Sequence, residues 1–242
     1  MVEESLIRLE PLINEEKLIQ LATKTVVVIG LGGVGAMATE ALVRSGVKRL
    51  ILIDHDVIVK SNLNRQIHAT KLTLGQKKVE AMFHRIENIA DFCQVEQKDV
   101  FIDKSNIASL LEGPIDFVID AIDTVTSKIA IIEYCQRNQI PYISSLGMGN
   151  RLDPSQVLVT KLKHTEYDPL AKVVRYKIRE LGLSDNFNVV FSTEKPIKQM
   201  RIFADSTIRK EKMPPASSCF VPQAAGLACA SFVIRKLTEE NL

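Results

Sequence analysis

Thr25-Val-Val-Val-Ile-Gly30-Leu-Gly32-Gly33-Val-Gly35 is followed by Arg49-Leu-Ile-Leu-Ile-Asp54 and then by Ser61-Asn62-Leu-Asn64-Arg65-Gln66. The first stretch is a β-branched apolar run that reads as a buried strand, ending in a glycine turn that opens a helix. That arrangement brings backbone N–H groups and a helix N-terminus against phosphate. Asp54 closes the second strand about 20 residues beyond the glycines, where a carboxylate accepts hydrogen bonds from a ribose. Any mononucleotide or dinucleotide site has these parts. The Asn/Arg cluster is different, because a polar stretch suited to a β/γ-phosphate and a metal is unnecessary for NAD. The pattern therefore points to nucleotide chemistry rather than hydride transfer.

Outward from this stretch, strands alternate with helices. Apolar periodicity predicts helices over Ile13–Leu21, Ala36–Ser45 (with Gly46 as its C-cap), Gln76–Ile89, Ser105–Leu111 and Thr124–Asn138. Gln94–Val100, Ile115–Asp120 and Pro141–Ser145 read as strands. This order predicts an α/β, Rossmann-like, doubly wound and mostly parallel sheet. Its ligand would lie beyond the carboxyl ends of the strands, where Gly30, Asp54 and Asp120–Asp123 fall. After Gly149 the pattern changes to a C-terminal elaboration. Gln156–Lys161 and Val189–Phe191 are expected strands, Asp168–Leu181 a basic helix, Lys195–Ser218 a mobile loop and Pro222–Leu237 a final helix. The whole of 1–242 is read as one domain, with a nucleotide-binding core over about 8–150 and an elaboration over about 151–242 packed on it.

Composition excludes several classes. The acidic start Met1-Val-Glu-Glu-Ser has no apolar signal core, and the run Cys219–Ile234 is interrupted by Pro222 and Gln223 and is too short to span a membrane. A cytoplasmic protein is expected. None of the four cysteines Cys93, Cys135, Cys219 and Cys229 forms a C-x-x-C pair, so buried packing is the expected role for each. Cys219, in the loop-like Pro214-Pro-Ala-Ser-Ser-Cys219, is the exception whose thiol a reagent could reach. His55, His68, His84 and His164 lack metal-ligand spacing. Net charge is +2, but 151–212 holds 13 Lys and Arg against 8 Asp and Glu, a local excess of +5. Such asymmetry suits a phosphate-backbone partner, or a solvated basic face.

Five motifs in order extend the opening stretch: Gly30-Leu-Gly32-Gly33-Val-Gly35, Asp54-His-Asp56, Ser61-Asn62-Leu-Asn64-Arg65-Gln66, Gly75-Gln-Lys-Lys78 and Asp120-Ala-Ile-Asp123-Thr124. Over Arg8 to Gly149 the chain thereby resembles the ThiF/MoeB/HesA superfamily, ATP-dependent activating enzymes that adenylate a carboxylate. The resemblance implies ATP and Mg²⁺ as cofactors and assigns roles by position. Gly33 lets the backbone approach the α-phosphate, with Gly30, Gly32 and Gly35 shaping the loop. Asp54, accompanied by Asp56, holds the ribose. Ser61, Asn62, Asn64 and Arg65 serve the phosphates, Lys78 stabilises triphosphate charge, and Asp123 beside Thr124 binds Mg²⁺. Arg8 would reach into the partner subunit, implying a homodimer completed in trans. Carboxylate attack on phosphorus joins two anions, so cations at these positions suit the chemistry.

Ser144–Pro154, Asp168–Arg175 and Val190–Pro196 are similar to the branch that dehydrates threonylcarbamoyladenosine in tRNA. The branch implies adenylation of the threonyl carboxylate, then intramolecular attack by the carbamoyl group with loss of AMP, a closure that gains from proximity. It also implies a tRNA partner and, for some members, a sulfur-transfer protein. Lys172, Arg175 and Arg179 fall on one face of the expected basic helix. With Lys195, Lys198, Arg209, Lys210 and Lys212 they are candidate contacts to tRNA phosphates. Three other readings share parts of the sequence. An enzyme activating the C-terminal glycine of a sulfur-carrier or ubiquitin-like protein would use the same ATP residues, although it usually carries C-x-x-C pairs. A NAD-dependent oxidoreductase leaves Asn64, Arg65, Lys78 and Asp123 idle. A non-catalytic binding module does not need those residues intact.

Overall fold

In the computed structural model, residues 3–198 and 215–239 are described. Their strands are β1 (Thr25–Ile29), β2 (Arg49–Ile53), β3 (Gln94–Lys98), β4 (Phe117–Asp120), β5 (Tyr142–Ser145), β6 (Val157–Lys161) and β7 (Asn188–Ser192). They form one sheet in the order β3-β2-β1-β4-β5-β7-β6, parallel throughout except for the antiparallel edge strand β6. The helices are α1 (Glu10–Ile13), α2 (Glu15–Ala22), α3 (Gly33–Arg44), α4 (Lys78–Glu87), α5 (Ile107–Leu110), α6 (Val125–Arg137), α7 (Pro169–Glu180) and α8 (Phe220–Thr238). The expected doubly wound, mostly parallel sheet is the observed one.

Why both faces are covered follows from the apolar runs. Val26, Val28, Leu50, Leu52, Phe117 and Ile119 point to a core shared with α3, α4 and α8. The alternate residues Val27, Ile29, Ile51, Ile53 and Val118 face α5 and α6 on the other side. A strand with two buried faces must be apolar along its buried length, which is the pattern of Val26–Ile29 in β1 and Leu50–Ile53 in β2. α7 closes a third cluster through Ala171, Val174 and Ile178 against Phe187, Val189 and Phe191. Each fully buried side chain of this kind contributes roughly 1.5–3 kcal/mol.

The boundaries differ from expectation in informative places. The helix expected over Ile13–Leu21 is α2, which starts two residues later because Asn14 adopts φ +65° and its side chain accepts from the Lys17 N–H at 2.9 Å as the cap. Gly46 follows α3 with φ +93°, its N–H bonded to the Val43 carbonyl and that of Val47 to Leu42, so the expected glycine stop is a Schellman turn. Of the expected Lys195–Ser218 loop, 199–214, with Arg209, Lys210 and Lys212, lies outside the described residues. No helix of the described residues is long and apolar enough to cross a membrane.

The order of strands reverses between β1 and β4, where Ile29 pairs with Asp120. Loops from the two strands diverge there and leave a crevice beyond their carboxyl ends, the expected position of a ligand in such a sheet.

Candidate active site

The crevice opens as a cavity of about 650 Å³. Its floor is the turn between β1 and α3. An added Cβ on Gly35 would stand 1.7 Å from the Gly30 carbonyl oxygen, and Gly30 itself holds φ +88°. The turn closes this tightly only with glycine at both positions. α3 consequently begins at Gly33, three residues earlier than expected, and presents its first N–H groups to the cavity.

Asp54 is buried where β2 ends, and its carboxylate organises the neighbouring backbone. One oxygen accepts from the Leu31 N–H at 2.6 Å and the other from the Asp56 N–H at 2.8 Å. The side chain of Lys78, the first residue of α4, is buried too. Its Nζ lies 2.5 Å from the Asp56 carboxylate and 3.7 Å from that of Asp54. His55, Asp54 and Asp56 bring ligand-type atoms within 4.8 Å of one another, but the Lys78 ammonium already supplies the cation to that group.

Arg65 lines the cavity beside Gly33. Its Nη1 donates to the Ser61 carbonyl at 2.8 Å and to Asn64 Oδ1 at 2.9 Å. Asn64 in turn donates to the Ser217 carbonyl at 2.8 Å, tying this loop to the segment before α8. Ser61 and Asn64 thus hold Arg65 rather than lining the cavity, and buried Asn62 accepts from the Val59 N–H at 3.0 Å. Asp123 and Thr124 line the opposite wall and are exposed to the cavity. No hydrogen bond engages the Asp123 carboxylate among the described residues. Arg8 is exposed and does not line the cavity.

The same cavity is lined further along by residues 146–151, 168–170 and Pro196, which make up its second lobe. Asp168 caps α7 by accepting from the Ala171 N–H at 3.0 Å, and accepts from the Gly147 N–H at 3.0 Å as well. Arg151, 3% exposed, donates to the carbonyls of Gly147, Glu194 and Tyr167. The Glu194 carboxylate accepts from the backbone N–H groups of Leu152 and Asp153. Three segments distant in sequence are therefore one wall.

A family model described as the ThiF family matches residues 5–231. The chain belongs to the ThiF family. It is 41% identical over 239 residues to a Bacillus subtilis tRNA threonylcarbamoyladenosine dehydratase, covering 96% of this chain and 94% of that protein. An E. coli tRNA N6-threonylcarbamoyladenosine dehydratase solved with ATP superposes with a TM-score of 0.86 at 32% identity, covering 98% of this chain and 96% of that one. The same enzyme solved with AMP gives 0.85 at 34% identity, covering 94% and 91%.

Within this ThiF-family site the sequence reading missed one buried network. Lys128 Nζ lies 2.6 Å from Asp120 Oδ2 and also donates to Ser144 Oγ and the Ser145 carbonyl, with both charged side chains fully buried. It clamps the ends of β4 and β5 on either side of the loop that carries Asp123. A lysine in a helix ordinarily reads as solvated, so only its eight-residue offset from Asp120 hinted at the pair.

The basic helix requires a correction. Lys172 is exposed, but Arg175 donates to both the carbonyl and hydroxyl of buried Thr165, and Arg179 pairs with Asp185 at 2.5 Å. The helix therefore does not present three free cations on one face. Among the cysteines, burial pushes Cys93, Cys135 and Cys229 up to about 12. Cys219 is half-buried at the start of α8, near the cavity-lining Ser217 and Pro222.

Proposed function

We infer that this chain carries out ATP-dependent dehydration of threonylcarbamoyladenosine in tRNA. The observation that carries the reading is one cavity lined both by the adenylating motifs and by the segments around Gly147, Asp168 and Pro196. The chain is read as a single adenylating unit, with its core over about 8–150 and its substrate side over about 151–242.

In this reading the ribose lies at Asp54, the α-phosphate over the N-terminus of α3, and the remaining phosphates toward Arg65 and Lys78. Buried Lys78 offsets charge where solvent screens it least. Asp123 lines the same cavity, and in this reading stands where carboxylate and α-phosphate would meet. A Mg²⁺ ion fits it: a hard oxygen donor with no other partner suits an ion held by one or two carboxylates and substrate phosphates. When bound, that ion would offset phosphate charge. The threonyl carboxylate oxygen bonds to the α-phosphorus and pyrophosphate leaves. The carbamoyl group then attacks the activated carbonyl, AMP leaves, and a proton passes to solvent. The second lobe's part is to hold the carbamoyl group against that carbonyl and exclude water.

Three further elements rest on the family resemblance. The enzyme works in the cytoplasm as a homodimer, and exposed Arg8, which does not line its own cavity, is donated to the partner's site. A sulfur-transfer protein is the third, and Cys219 is the thiol it would meet. Lys172, Arg175 and Arg179 remain candidates for tRNA contact, with Lys172 the one free to reach a phosphate.

Pyrophosphate release tests the reading against carrier activation. Stimulation by tRNA bearing threonylcarbamoyladenosine is expected. Stimulation only by a small glycine-tailed protein would replace the substrate assignment.

A further inference from the structure

We propose that Tyr167, backed by Lys195, is a stacking platform for a nucleobase of a single-stranded RNA loop at the mouth of the second lobe. The proposal rests on the tRNA reading above and names the residue that would grip the loop.

Four observations converge on this rim. Tyr167 is 56% exposed, so its ring is open to a ligand from solvent. Its backbone holds φ +54°, a left-handed conformation that a bulky side chain rarely adopts and that persists where surrounding structure imposes it. The Lys195 ammonium lies 4.7 Å from the centre of its ring. The immediate neighbours of the pair, Asp168 and Pro196, both line the cavity.

The rim is also fixed in advance. Buried Arg151 donates to the backbone carbonyls of Tyr167 and Glu194, the latter directly preceding Lys195. One guanidinium thus ties together the two backbone segments that carry the aromatic ring and the cation.

The chemistry of a single-stranded RNA loop matches this arrangement. Unstacked bases of such a loop are received on aromatic faces, and a nearby cation meets the phosphate that follows. For a modified adenosine to bring its side-chain carboxylate into the cavity, a neighbouring base must lose its partner in the loop stack. An exposed ring beside the entrance replaces that partner. Stacking tolerates any base, so the platform grips the loop while the second lobe reads the modification.

The chain has no Trp, so Tyr167→Trp places a single fluorescent indole at the site. Its emission is expected to fall on addition of an RNA stem-loop that carries the modified adenosine in its loop, and to fall far less with a loop made abasic next to that adenosine. Tyr167→Asn removes the ring while favouring the left-handed backbone. It should melt at or above the wild-type temperature, raise KM for tRNA about tenfold, and leave kcat at saturating tRNA and KM for ATP unchanged. An unquenched indole, or a wild-type KM in Tyr167→Asn, would overturn the platform. Quenching by the loop in an enzyme that leaves the modified adenosine unconverted would instead overturn the dehydratase reading and keep the platform.

Discussion

Lys128 Nζ sits 2.6 Å from Asp120 Oδ2, and both side chains are fully removed from solvent. The pair joins the end of β4 to the second turn of α6, and the short loop between them carries Asp123. Removing one partner leaves an uncompensated buried charge. Lys128→Met should therefore lose about 3–5 kcal/mol of stability in urea unfolding. Adding Asp120→Asn to that variant should recover part of the loss, because the stranded carboxylate is gone. Equal stability of the single and double variants would contradict the pairing.

Lys78→Ala should lower the rate of pyrophosphate release on the order of 10²–10³-fold, the usual consequence of removing one preorganised stabiliser of transition-state charge. Asp54 and Asp56 lose their shared cation in the same change, so nucleotide affinity should fall as well. Calorimetric titration with a non-hydrolysable ATP analogue separates the two effects.

Arg151→Met should divide the lobes functionally. Its hydrogen bonds run to the carbonyls of Gly147, Tyr167 and Glu194, none of which belongs to the turn or strand ends that face Gly33, Asp54 and Lys78. Leaving buried carbonyls unpaired costs about 1–3 kcal/mol in stability. KM for tRNA should rise, while ATP affinity, measured by the same titration, should stay within twofold.

Acid stability should carry the signature of His68. Burial, with the positive charges of Lys78 and Arg85 nearby, lowers its pKa from 6.5 to about 4, and neither ring nitrogen has a hydrogen-bond partner among the described residues. The unfolded chain then binds a proton that the folded chain refuses between these two values. Stability present above pH 6.5 is lost as the pH falls toward 4, by on the order of 3 kcal/mol. His68→Phe should flatten that part of the curve in urea titrations across the same range.

The core of the sheet was legible because strands buried on both faces leave continuous β-branched runs, as in Val26–Ile29 and Leu50–Ile53. That Gly30, Gly33, Asp54, Arg65, Lys78 and Asp123 share one cavity was legible because they stand at set positions along strand–turn–helix units whose strand ends meet. Three kinds of feature were not. Asn14 sets the start of α2 through a side-chain cap that apolar periodicity does not register. Lys128 gave little sign of burial beyond its eight-residue offset from Asp120, since that partner lies across a loop. The segments around Gly147, Asp168 and Glu194 each stood out in the sequence, but their convergence on Arg151 depends on contacts spanning up to 43 residues. The helical face of Lys172, Arg175 and Arg179 was periodic as expected, yet periodicity does not show that Thr165 and Asp185 claim two of the three.

The central claim is tested most directly by incubating tRNA that bears threonylcarbamoyladenosine with ATP and the enzyme, then weighing its nucleosides by mass spectrometry. Wild type should yield a nucleoside lighter by one water with AMP released, and Asp123→Ala should leave the modified adenosine unchanged. An unaltered nucleoside with wild type, or equal conversion by both proteins, would contradict the account.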